Sequence, residues 1–202
     1  KQMTIINSKL PIFQYFICLF ENKVLLFSAA DVLNRRKGLA FLLDALTKLR
    51  EYPEAKNVTL LLLGLCGEEV EKLDFPVKAL GNLTSDQAVV AGYNAAVAVV
   101  LPTLEDNLPN VLLESLACGT PCVAFDVGGV PDILDHKQTG YIAKFRDVDD
   151  LVEGLLWALQ DNPHRSRLCR AQAMARWSLA RQANEYLHLY EEFHLQLFLH
   201  LL

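Results

Sequence analysis

The sequence contains no CxxC pair, no GxGxxG or GxxxxGK[ST] loop and no cluster of histidines, and each absence closes off a class of chemistry. Its five cysteines (Cys18, Cys66, Cys118, Cys122 and Cys169) are odd in number and sit mostly among apolar neighbours, which argues against a disulfide framework. Reduced, buried thiols in a cytosolic protein fit better. Cys118 and Cys122 are close in sequence, but Gly119 and Pro121 break any helix that would turn them toward one metal. The missing glycine fingerprints leave neither the usual dinucleotide motif nor a P-loop to account for a phosphate site. Blocks of like charge are also absent. Lysine and arginine are scattered singly or in the one RRK triplet, and the formal net charge is −5, so no nucleic-acid partner is expected. No apolar run is long enough to span a bilayer. Leu10 to Phe20 is interrupted by Pro11 and Gln14, lacks the flanks of a signal peptide and reads as a strand or interdomain segment. The C-terminal LQLFLHLL reads as one apolar helix face. His136, His164, His188, His194 and His200 fall in turn or helix contexts and read as surface or interface residues.

What is present is a globular core. Of 202 residues, 52% are hydrophobic, which points to one domain with a helical appendage rather than two full domains. Buried-strand runs are expected at Val24 to Ala29, Val58 to Gly64, Val77 to Leu80, Val97 to Leu101, Cys122 to Phe125 and Gly140 to Ala143. Helical patterns separate them: Gly38 to Arg50, a short Glu68 to Leu73, a helix capped by Thr84 or Ser85 and running to Ala95, one from near Leu108, and a turn after Pro131. This alternation predicts an α/β fold, a Rossmann-like doubly wound parallel sheet covered on both faces. From Val148 onward only helices are expected: Val148 to Leu159, His164 to Arg176, and Ser178 to roughly Leu199. The last carries Tyr186, Leu189, Tyr190, Phe193 and Leu197 at helical spacing, a stripe that suits core packing or docking better than cofactor binding.

The most informative stretch runs from Leu101 to Ile133. Asn107 reads as an N-cap with Pro109 in the first helical turn, so free amides and a positive dipole end would face an anion beyond the strand. Glu114 follows Asn110 by one helical repeat on the same face, where a carboxylate can accept from sugar hydroxyls, while Leu108, Val111, Leu112 and Leu116 form the apolar stripe. A second candidate is Asn34 to Gly38 (NRRKG), a cationic loop between the first strand and its helix, suited to phosphate. Topology should bring both to the same sheet edge, because ligands of doubly wound sheets bind beyond the strands' carboxyl ends. Together they describe a nucleotide-diphosphate site.

The run PTLEDNLPNVLLESLACGTPCVAFDVGGVPDIL resembles the donor-site signature of the retaining group 1 glycosyltransferases (family GT4), which have the GT-B fold. NRRKG, the LLLLG strand followed by VKALGNL, and GYIAK after the Gly-Gly turn add to the resemblance, which covers about Lys23 to Glu192. It implies a sugar nucleotide held in this domain and an acceptor held by an N-terminal Rossmann-like domain. Carried over by motif, Lys37 matches the lysine that neutralises the donor diphosphate, and Glu114 the acid that bonds the ribose. Asp106 occupies the position of the first motif acid, which contacts the transferred sugar. The family usually has Glu there, so Glu105 and Asp106 both stand as candidates. The helix start at Leu108, Asn110 and Val111 matches the amides that face sugar and phosphates. The family's arginine six residues before the lysine is Asp31 here, with Arg35 or Arg36 as replacements for its charge and Arg36 equally able to face solvent.

The resemblance further implies a transferase that needs no cofactor and no metal ion, with Lys37, a nearby arginine and the helix dipole stabilising the leaving diphosphate. The expected organisation is a segment over 1–22, a sugar-nucleotide-binding domain over 23–160, and helices over 161–202 that pack on it or on the acceptor half. The implied role is transfer to an acceptor hydroxyl with retention, in polysaccharide biosynthesis, cytoplasmic or peripheral at the inner membrane face through the acceptor domain. Two rivals are a non-catalytic nucleotide-sugar or docking module, and another GT-B enzyme such as a phosphorylase or epimerase.

Overall fold

In the computed structural model, residues 22–65 and 75–200 are described, with side chains to 194. The expected helix at Glu68 to Leu73, the Leu10 to Phe20 segment, Cys18, Cys66 and the side chains of LQLFLHLL lie outside the described residues. Six strands form one sheet: β1 (Lys23–Asp31), β2 (Val58–Leu65), β3 (Val77–Ala79), β4 (Ala98–Leu101), β5 (Cys122–Phe125) and β6 (Gly140–Ala143). Every pairing is parallel and the order is β3-β2-β1-β4-β5-β6. Parallel neighbours need crossovers, and α1 (Leu39–Leu49), α2 (Asp86–Ala95), α3 (Asn110–Ala117) and α4 (Val130–Ile133) lie on the connections, followed by α5 (Val148–Leu159), α6 (Arg165–Arg176) and α7 (Leu179–His200).

Strand residues alternate between two cores, as a period of two requires. Leu25 and Phe27 of β1, Leu60 and Leu62 of β2, and Val123 and Phe125 of β5 face α1 and α5. Val24, Leu26, Leu61, Leu63, Cys122 and Ala124 face the other way, onto α2, α3, α4 and α6. Burial on both faces explains why β1 and β2 read as unbroken apolar runs rather than as alternating ones. Leu42, Leu46 and Leu49 of α1 and Leu151 and Leu155 of α5 are almost fully buried, so each helix turns one apolar face to the sheet.

One helix boundary that matters for the site differs from expectation. The helix expected from near Leu108 starts at Asn110, with Pro109 rather than Asn107 at the N-cap and no side-chain cap. A residue before proline is disfavoured in the helical region, which keeps Leu108 out of the helix. The Asn107 carbonyl accepts from Gly129 N at 2.8 Å instead of from a helical amide. Leu108 is accordingly 43% exposed and does not belong to the buried stripe, which Leu112 and Leu116 carry.

The helix α6 docks on the second core through Cys169 and Ala173. Arg170 Nη1 donates to Ala117 O at 2.6 Å, and Gln172 Nε2 to Ile133 O at 3.1 Å. By contrast α7 exposes its stripe: Tyr186, Leu189, Tyr190 and Phe193 are 44–66% exposed. Among the described residues no helix is long and apolar enough to cross a membrane.

Candidate functional site

The chain order reverses between β1 and β4, with β2 and β3 on one side and β5 and β6 on the other. Ligands of doubly wound sheets bind at such a point, beyond the carboxyl ends of the strands. The two loops here are the NRRKG connection after β1 and the LEDN connection after β4.

The first loop is built by short-range capping. Asn34 Oδ1 accepts from Arg36 N at 3.0 Å, Arg35–Lys37 make a single 3-10 turn, and Gly38 closes it with φ 76°. A Cβ at Gly38 would lie 1.8 Å from Pro102 O, so only glycine allows the two loops to touch there. Hydrogen bonds then stitch them: Leu104 N donates to Arg36 O at 2.7 Å and Thr103 Oγ1 to Arg36 O at 3.1 Å, the same hydroxyl lying 3.1 Å from Glu105 O of its own loop. Arg36 Nη1 donates to Glu105 O at 2.9 Å, so its guanidinium is exposed yet anchored.

Between the loops, Lys37 Nζ meets Asp106 Oδ2 at 2.7 Å, with side chains 19% and 15% exposed. Glu105 turns its side chain to solvent and contributes its carbonyl. The structure therefore separates the two acids that the sequence leaves equivalent: Asp106 faces the cation and Glu105 does not. The Gly-Gly turn after β5 supports this arrangement from behind. A Cβ on Gly128 (φ +53°) would fall 1.8 Å from Asp106 O, and one on Gly129 2.5 Å from Asn107 O.

The amino end of α3 continues the wall. Leu112 N bonds back to Pro109 O at 3.0 Å, while the amides of Asn110 and Val111 have no protein acceptor among the described residues. Such amides and the dipole behind them favour an anion. One turn further on, the exposed Glu114 accepts from Tyr93 Oη at 2.7 Å through Oε2. Burial, then the bond to Glu114, pushes the Tyr93 phenol well above its ordinary value, so it stays a neutral donor.

Lys37 and Asp106 are thus in direct contact, and Arg36 joins the same two loops through the Glu105 carbonyl. Leu108, Asn110, Val111 and Glu114 follow on the same β4 connection, and Asp31 accepts from Leu33 N at 3.0 Å within its own loop. Two participants had no readable signal in the chain: Tyr93, whose partner lies on another helix, and the glycine contacts with Pro102 and Asp106. An aspartate-x-aspartate run does occur, Asp147-Val148-Asp149, and its carboxylates serve the fold. Asp147 caps α5 by accepting from Asp150 N at 3.0 Å, and Asp149 pairs with Lys48. Cys122 and Cys169 are free and buried, and burial pushes both thiols up, which makes them inert packing groups.

Comparison with known proteins gives a consistent assignment. A family model described as Glycosyl transferases group 1 matches residues 22–161. The sulfoquinovosyl transferase SQD2 of Arabidopsis thaliana is 33% identical over 140 residues, which are 67% of this chain and 26% of that protein. A D-inositol 3-phosphate glycosyltransferase of Corynebacterium jeikeium is 29% identical over 148 residues, 67% of this chain and 35% of that one. The chain therefore spans well under half the length of these curated relatives. Among solved structures, a sucrose-phosphate synthase from Thermosynechococcus elongatus superposes with a TM-score of 0.69 at 22% identity, covering 87% of this chain and 46% of that one, a likeness of fold.

Proposed function

This chain belongs to the group 1 glycosyl transferases, and on that premise we propose that it is the donor-binding half of a retaining glycosyltransferase of the GT4 type. It holds a nucleoside-diphosphate sugar in the crevice between β1 and β4, and the acceptor is held by a domain outside this chain. The observation that carries the reading is the Lys37–Asp106 contact of 2.7 Å at the switch point of the sheet. A diphosphate offers Lys37 the same anionic oxygens that Asp106 offers, so the ammonium is already placed and largely shielded from water.

In the proposed reaction the bond from the anomeric carbon to the diphosphate oxygen breaks. The new bond to the acceptor oxygen forms on the same face, and the acceptor hydroxyl passes its proton to the departing diphosphate oxygen. Negative charge grows on the leaving diphosphate, where Lys37 and the amides of Asn110 and Val111 stabilise it. Arg36 holds the Glu105 carbonyl and so fixes the loop that carries Asp106. Asp106, released from Lys37, orients the transferred sugar, and Glu114 accepts from the ribose hydroxyls. Assembly of polysaccharide at the cytoplasmic membrane face, through the acceptor domain, completes the proposal.

Calorimetric titration with UDP-, GDP- and ADP-linked sugars tests it. One of them is expected to bind, and Lys37→Ala to weaken binding by about 1.5–3 kcal/mol, the range for a hydrogen bond to a charged group. Binding without turnover, even with an added acceptor domain, favours a non-catalytic module. No binding to any of the three, or wild-type affinity in both Lys37→Ala and Glu114→Ala, sinks the donor-site reading.

A further inference from the structure

We propose that Tyr93 is a positioning residue that sets the Glu114 carboxylate for the ribose of the nucleotide, an inference that rests on the donor-site reading above. Glu114 lies on the exposed side of α3, where a glutamate ordinarily samples several rotamers. Here it is held by the hydroxyl of a residue that is itself 1% exposed, at 2.7 Å. The holding group has little freedom. Its ring packs into the second core with Leu26, Leu61, Leu112 and Leu116, and its carbonyl accepts from Thr120 Oγ1 at 2.8 Å. Ser115 Oγ donates to Thr120 O at 2.8 Å, which ties that anchor to the end of α3 itself.

The pairing is also obligatory for the phenol. A buried hydroxyl without a partner carries a desolvation cost, so Tyr93 keeps donating to Glu114 whether or not a ligand is present. Ser28, in the carboxyl-terminal half of β1, lies close to the same phenol, which places the pair beside the strand that borders the site. With Oε2 satisfied by Tyr93, Oε1 has no protein donor among the described residues and is free to accept from a vicinal diol. A merely structural bond linking α2 to α3 would give the same distances, so the test has to read the ribose.

The experiment uses the full chain and whichever of UDP, GDP and ADP binds most tightly, set against its 2′,3′-dideoxy analogue. Wild type is expected to prefer the ribonucleotide, and Glu114→Ala to abolish that preference. Tyr93→Phe, which keeps the ring and so the packing, is expected to reduce the preference by about three- to tenfold, the scale of one ordinary hydrogen bond, because Tyr93 acts on the ribose only through Glu114. It should leave dideoxy affinity unchanged and have no further effect in the Glu114→Ala background. Tyr141→Phe removes a like bond, Tyr141 Oη to Asp150 Oδ1 at 2.7 Å, and should leave the preference intact. Thermal unfolding confirms that each variant folds. If Tyr93→Phe lowers both affinities equally, or keeps the wild-type preference, the positioning role is overturned while the donor site stands. If the wild type itself shows no ribose preference, or binds none of the three diphosphates, the reading of Glu114 falls and this inference falls with it.

Discussion

Tyr141 and Asp150 share a hydrogen bond of 2.7 Å that responds to pH at both ends of the scale. Burial, then the bond to Asp150, pushes the Tyr141 phenol up to about 12. For Asp150 burial works upward, but the Lys144 amide and the Tyr141 hydroxyl outweigh it and hold the carboxyl below its ordinary 3.8. The signs follow from linkage. The raised phenol contributes stability that is complete below pH 10, where an unfolded tyrosine begins to ionise, and is lost as the pH rises toward about 12. The lowered carboxyl contributes stability that is complete above its unfolded value and is lost as the pH falls through the folded one. Urea midpoints followed against pH should therefore fall in both windows, and Tyr141→Phe should shrink both losses. Tyr93, also raised, leaves part of the alkaline loss in place. An unaltered pH profile in Tyr141→Phe would count against the pair. Neither member could be matched to the other from sequence, because nothing in a chain says which carboxylate a tyrosine will reach.

At the scale of elements, the site is held by backbone approaches between loops. Gly128 sits at φ +53° with Asp106 O in the space of its missing Cβ, so the turn after β5 presses on the loop that presents Asp106. Gly128→Ala should cost about 1–3 kcal/mol in strain alone. It should also loosen the Lys37–Asp106 contact, which predicts weaker sugar-nucleotide binding beyond the loss in unfolding free energy. A variant with wild-type affinity would show that the turn supports the fold only. The start of α3 follows the same logic. Pro109 excludes Leu108 from the helix, and Gly129 takes the Asn107 carbonyl, so the amides at the crevice begin later than an Asn N-cap alone would set them.

At the scale of the whole molecule, the two cores hold the strand ends that carry these loops. Phe125, fully buried at the carboxyl end of β5, meets Phe41 and Phe145 edge to face at centroid distances of 5.5 and 6.2 Å. Phe125→Ala should cost about 3–5 kcal/mol by equilibrium urea unfolding, and a loss under 1 kcal/mol would mean that the aromatic cluster is not part of the cooperative core. Most of this layout was legible in the chain. Runs such as VTLLLLG and CVAF are short, continuously apolar and flanked by turn residues, which is how strands buried on both faces read, and α5 occupies the residues expected of it. The lysine loop and the acidic loop were also legible, because capping and punctuation are local properties of sequence. What only the tertiary structure decided depends on packing between distant residues. It turned Asp106 rather than Glu105 toward Lys37, placed Tyr93 against Glu114, and left the aromatic stripe of α7 exposed. Local chemistry fixes which elements form and where they stop, whereas the direction of a single side chain is set by the backbone that packs behind it, and that backbone comes from elsewhere in the chain.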